Sequence, residues 1–113
     1  MSWIVLVDGY NVLKNWPQFA RELDTQFNLA RNRLIRMIGD FADYQGHRVI
    51  VVFDAPRRNM HRATSKKQEG VEVVFTKQGQ IADDYIIQWV KEYEGAEHVE
   101  VVTSDQALSY AVQ

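Results

Sequence analysis

The chain has 113 residues, with 13 Lys+Arg against 15 Asp+Glu, 46% hydrophobic and 25% charged, the proportions of one folded domain and not of a disordered or fibrous chain. It contains no cysteine, which excludes disulfides, thiolate zinc or iron–sulfur sites and a cysteine nucleophile. Its longest apolar runs, such as Val49 to Phe53, fall far short of the roughly 18 residues of a membrane helix. Met1-Ser2-Trp3 leads into a strand-like run without a basic signal region, so cytoplasmic residence away from membranes is expected.

The net charge of −2 hides an asymmetry. Arg57, Arg58, Arg62, Lys66, Lys67 and Lys77 face only Glu69 and Glu72 within their stretch, so that segment is +4 and the remainder −6. A basic arm on an acidic body invites a polyanionic partner.

Periodicity gives strands separated by helices, the pattern of parallel strands joined by crossovers. Trp3 to Val7 is the first strand, and a short helical turn is expected over Pro17 to Leu23. Phe27, Ala30, Leu34, Met37, Ile38, Phe41 and Tyr44 recur at steps of three and four and predict a long amphipathic helix, with Thr25 as N-cap and Gly46 past its end. Val49 to Phe53 is the second strand, and the polar stretch Arg57 to Gly70 reads as a mobile loop. Val71 to Phe75 is the third strand; Gln80 to Tyr93 is a second helix, carrying Ala82, Ile86, Trp89, Val90 and Tyr93 on one stripe. Val99 to Thr103 is the fourth strand, and Gln106 to Gln113 begins a further helix without a capping residue. The reading is a single α/β domain with about four strands.

The first, second and fourth strands run into Asp8, Asp54 and Asp105. In a parallel sheet all carboxyl ends share one edge, which is where open α/β sheets place their ligands. Helix geometry selects between Asp83 and Asp84: at about 100° per residue, Asp83 lies about 60° from Ile86 in the buried stripe and Asp84 about 160° away, toward solvent. Asp83 also sits in the first turn, where the helix dipole favours an anion. Two unit charges about 4 Å apart repel by about 4 kcal/mol at an effective dielectric near 20, so such a cluster calls for protons or a cation. No Lys or Arg adjoins these acids in sequence, and oxygen-only ligands favour Mg²⁺ or Mn²⁺ over zinc. Each acid taken alone has a plainer explanation: Asp8-Gly9 as a tight turn, or Asn11 as an N-cap. The conjunction at one edge favours a metal site.

The segments Ile4-Val5-Leu6-Val7-Asp8-Gly9-Tyr10-Asn11-Val12, Trp16-Pro17, Arg48-Val49-Ile50-Val51-Val52-Phe53-Asp54-Ala55, Val73-Val74-Phe75-Thr76-Lys77, Ala82-Asp83-Asp84 and Thr103-Ser104-Asp105, in that order, closely resemble the YacP-like NYN family within the PIN-like nuclease superfamily. The resemblance covers essentially the whole chain. It implies a PIN-like three-layer α/β/α sandwich with a central, mostly parallel sheet, and a Mg²⁺- or Mn²⁺-dependent endoribonuclease acting on single-stranded RNA, with bacterial relatives that cut mRNA at the ribosome. Carried over by position, Asp8, Asp83 and Asp105 match the acidic metal site. Asn11 matches the motif Asn that orients Asp8 or the substrate, Asp84 the second acid of the paired position, and Asp54 a strand-end acid expected to support the metal. Such relatives continue past the Thr-Ser-Asp motif into a further helix and strand, so a chain of 113 residues is expected to be a shortened or partial form of the domain.

Phosphate backbones are bound by Lys and Arg with counterion release, which makes Arg57, Arg58, His61, Arg62, Lys66 and Lys67 the expected RNA contacts. Tyr10, beside Asp8, is expected to stack on a base, while Trp3 and Trp89 read as core. His47, His61 and His98 are dispersed and form no acid–base pair for a metal-free ribonuclease. A receiver-like phosphoacceptor needs adjacent acids after the first strand, where this chain has Gly9-Tyr10. The competing reading is an RNA-binding or ribosome-docking module of the same fold whose acids do not catalyse.

Overall fold

A computed structural model of the chain describes residues 3–17, 19, 26–55 and 61–103. In chain order the elements are β1 (Trp3–Asp8), α1 (Gly9–Asn15), α2 (Phe27–Gln45), β2 (Arg48–Phe53), β3 (Thr64–Gln68), β4 (Val71–Phe75), α3 (Ala82–Glu92) and β5 (His98–Val102). One sheet of five strands runs in the order β3-β4-β2-β1-β5. Every pairing is parallel except the β3–β4 hairpin.

Alternation along the strands divides the core into two layers. Val5, Val7, Val49, Val51, Phe53, Val71 and Val73 pack against Leu34, Ile35 and Ile38 of α2 and Val12 and Leu13 of α1. On the opposite face Ile4, Leu6, Ile50, Val52 and Val74 meet Ala82 and Ile86 of α3. The result is the expected three-layer α/β/α sandwich. It also explains why β1 and β2 read as unbroken apolar runs, since both of their faces are covered.

The sheet has one strand more than periodicity predicts. The stretch expected to be a loop contains β3, whose residues are almost all solvent-exposed. It pairs antiparallel with β4 through a turn at Glu69 and Gly70, both with positive φ. An edge strand made of Thr, Ser, Lys, Lys and Gln buries nothing, so it carries no hydrophobic signature, and its lysines discourage edge-to-edge pairing.

Within α2, Ala30, Leu34, Ile38 and Ala42 are buried as their spacing requires, and the helix ends at Gly46, whose φ of 70° is left-handed. Two details differ from expectation. The position before the first helical residue belongs to Gln26, which makes no side-chain capping bond, while Thr25 lies outside the described residues. Tyr44 is 86% exposed because the apolar stripe has rotated off the sheet by the last turn. Val90 of α3 is likewise exposed. The turn expected over Pro17 to Leu23 and the helix expected from Gln106 lie largely or wholly outside the described residues. No helix among the described residues is long and apolar enough to cross a membrane.

Candidate active site

β1 and β2 are parallel and in register, with Asp8 opposite Val52. Residue parity then decides where their terminal acids point. Asp8 follows Ile4 and Leu6, and Asp54 follows Ile50 and Val52, all four on the face covered by α3. The first turn of α3 supplies Asp83 and Asp84 to the same edge.

Asp8 is the centre of this arrangement. It is 7% exposed and caps α1, its Oδ1 accepting a hydrogen bond from the Asn11 amide at 3.4 Å. Burial pushes its carboxyl up to about 6; a hydrogen bond with the Asp83 side chain and the charges of Asp83 and Asp54 act in the same direction, while the Asn11 N–H opposes them. A carboxyl so placed carries charge at neutral pH that solvent cannot screen.

Asp54 has a structural task. Its Oδ1 accepts from the backbone amide of Ala82 at 2.7 Å, so the end of β2 fixes the start of the helix that bears Asp83. Thr76, fully buried, ties the same loops together: its hydroxyl donates to the Gln80 carbonyl at 2.7 Å and accepts from the Ala55 amide at 3.0 Å. The motif containing Thr76 is visible in the sequence, but its bracing role is not, because both partners are backbone groups brought together by folding.

Gly9 starts α1 and does not form a tight turn. A β-carbon there would run into the buried ring of Phe53, so glycine is needed for close approach between β2 and the Asp8 cap. The side chain of Asn11 accepts from Asn15 Nδ2 at 3.1 Å, and the same Nδ2 donates to the Asn11 carbonyl at 2.8 Å. Asp8 is therefore held by the Asn11 main chain, with the Asn11 side chain positioned by Asn15, which sequence reading missed. Asp84 is exposed. Asp105 lies outside the described residues, as do Arg57 and Arg58.

His61 and Arg62 are exposed before β3. Lys66 and Lys67 project from opposite faces of β3, since Lys66 is paired with Val73 and Lys67 with Glu72. The basic segment therefore presents its described charges to both sides of the sheet and does not form one continuous patch.

Among the described residues no three acidic or histidine side chains form a ready-made metal cage. The donor chemistry nonetheless fits a hard divalent ion. Asp83 and Asp54 act together on the buried Asp8 carboxyl, and Mg²⁺ is commonly held by one or two carboxylates, water and substrate phosphate.

A parallel sheet ending in paired carboxylates, with a helix start braced beside them, defines a nuclease-like α/β domain. The chain belongs to the YacP-like NYN domain family, whose family model matches residues 5–113. It is 38% identical over 112 residues to the uncharacterized protein YacP of Bacillus subtilis strain 168, covering 96% of this chain and 64% of that protein. The chain therefore spans under two thirds of that relative's length. Two crystal structures of Rae1 (YacP) from Bacillus subtilis share the fold. A mutant form superposes with a TM-score of 0.71 at 37% identity, covering 97% of this chain and 60% of the other. A second structure gives 0.69 at 30% identity, covering 96% and 72%.

Proposed function

We propose that the protein is a Mg²⁺- or Mn²⁺-dependent endoribonuclease that hydrolyses phosphodiester bonds in single-stranded RNA, with mRNA, read at the ribosome, as its setting. The observation that carries this reading is the buried Asp8 carboxyl at the carboxyl edge of the sheet, beside the helix start that Asp54 fixes through the Ala82 amide and that bears Asp83. A buried carboxylate with further acids gathered beside it is destabilising unless a cation joins them. Family membership adds the nuclease-like class.

Asp8 and Asp83 would hold the ion, with Asp105 as the third ligand and Asp54 and Asp84 in supporting places. Bound there, a divalent ion supplies Lewis acidity toward water and the scissile phosphate. Asp54 keeps the Asp83 helix start in place through the Ala82 amide, and the Asn11 amide orients Asp8. Tyr10, 42% exposed beside Asp8, offers a ring to a base, and His61, Arg62, Lys66 and Lys67, together with Arg57 and Arg58, offer charge to the backbone.

The test is incubation of a labelled single-stranded RNA with the protein and Mg²⁺ or Mn²⁺, with EDTA as control, followed by analysis of the new ends. Metal-dependent cleavage leaving 5′-phosphate and 3′-hydroxyl ends is expected. Cyclic-phosphate ends, or cleavage that survives EDTA, overturn the mechanism. RNA binding in EDTA without cleavage in either metal would make the domain a binding module.

A further inference from the structure

The rim of the site opposite α3 holds an aromatic row with one cation set into it. Phe53 and Phe75 are the last residues of β2 and β4, paired in register with ring centroids 5.7 Å apart. Phe27 opens α2, and its ring lies 6.1 Å from that of Tyr10, in the first turn of α1. Arg31, one turn into α2, places its guanidinium carbon 5.8 Å from the Phe27 centroid and 5.2 Å from the Phe75 centroid. All of these residues belong to strand ends or helix starts at the carboxyl end of the sheet, on its α2 side, with Phe53 buried beneath the others and Asp8 turned toward the α3 side.

Arg31 is half-buried, and among the described residues no carboxylate pairs with it. A guanidinium held over two ring faces gains cation–π attraction without spending an N–H donor. Its rotamers are restricted in advance, so less entropy is lost when an anion binds, and its planar fork suits a phosphate. Packing alone would be served as well by an apolar side chain of similar length. The guanidinium keeps its N–H donors available to an external anion.

We propose that Arg31, held between Phe27 and Phe75, binds a backbone phosphate of single-stranded RNA while Tyr10 stacks on a neighbouring base, so that the strand crosses this rim to reach Asp8. The proposal rests on the ribonuclease reading of the same edge and names the residues that lead substrate to it.

The experiment is fluorescence anisotropy of a labelled oligouridine in EDTA over a range of KCl concentrations, using the whole chain and its Arg31→Met, Arg31→Lys and Tyr10→Ala variants. Arg31→Met should weaken binding about tenfold and reduce the slope of log affinity against log salt by about 0.7, the value for one phosphate contact on a single strand. Arg31→Lys should keep the slope, and Tyr10→Ala should weaken binding without changing it. An Arg31→Met protein that folds and retains wild-type affinity and slope overturns the proposal. A readout independent of folding variants is the Arg31 Nε–H resonance of the wild type, which should move on adding oligouridine; an unmoved resonance in a saturated complex also overturns it. No RNA binding by the wild type would sink both this proposal and the ribonuclease reading. Arg31-dependent binding without metal-dependent cleavage would sink the ribonuclease reading alone.

Discussion

Asp54 accepts a hydrogen bond from the Ala82 amide at 2.7 Å, joining the end of β2 to the first residue of α3. The acid thereby satisfies one of the orphan amides of a helix start and sets the position of Asp83 next to it. Asp54→Ala should lower stability by about 1 kcal/mol, the usual value of a lost helix cap, and reduce metal-dependent cleavage by letting Asp83 drift. Asp54→Asn retains a carbonyl acceptor, so its denaturation midpoint should match the wild type and most of its cleavage should survive. Loss of cleavage in a fully stable Asp54→Asn protein would instead make Asp54 a metal ligand.

Asp8 makes stability depend on pH with a definite sign. Its carboxyl is raised from 3.8 to about 6 in the folded chain, so the folded state holds this proton more tightly than the unfolded state. Its contribution is fully present below about pH 4 and is lost as pH rises through about 6. In EDTA at pH 7.5, Asp8→Asn should therefore be more stable than the wild type by on the order of 2 kcal/mol, an advantage that disappears below about pH 4. Mg²⁺ should raise the wild-type melting temperature and leave that of Asp8→Asn unchanged. Urea titrations at the two pH values, with cleavage assayed in parallel, check both parts.

At the opposite end of β1, His47 Nδ1 accepts from the Trp3 amide at 3.0 Å, and the imidazole stacks on the Trp3 ring at 5.4 Å. Burial lowers the His47 pKa from 6.5, and protonation at Nδ1 would remove the acceptor. The folded state thus binds this proton less well than the unfolded state, so its contribution is present above about pH 6.5 and lost as pH falls through and below that value. Between pH 7.5 and 5.5 the metal-free wild type should lose melting temperature relative to a His47→Phe variant. Parallel melting curves for the two proteins would refute the assignment.

Gly39 lies in the middle of α2, where Ala is worth up to about 1 kcal/mol more than Gly by helix preference. A β-carbon there would overlap the Glu69 carbonyl in the β3–β4 turn, and this main-chain atom cannot swing away as a side chain could. Overpacking of this kind costs about 1–3 kcal/mol, so contact should outweigh preference. Gly39→Ala is expected to be destabilised by about 1 kcal/mol or more, measured by urea denaturation, and a stabilised variant would show that the hairpin yields.

The sequence alone determines the α/β architecture, because a strand covered on two faces must be apolar throughout and a helix covered on one must repeat every three or four residues. It also places Asp8 and Asp54 at one edge of the sheet, since parallel strands share their carboxyl ends. Tertiary structure decides what has no periodic signature. β3 forms because β4 offers it a hydrogen-bonding edge, not because Thr64 to Gln68 bury a face. Gly9 answers to the Phe53 ring, Thr76 to two backbone groups, and Arg31 to the Phe75 ring at the end of β4. Local patterns record how each segment meets water; they contain no information about which distant segment supplies its partner.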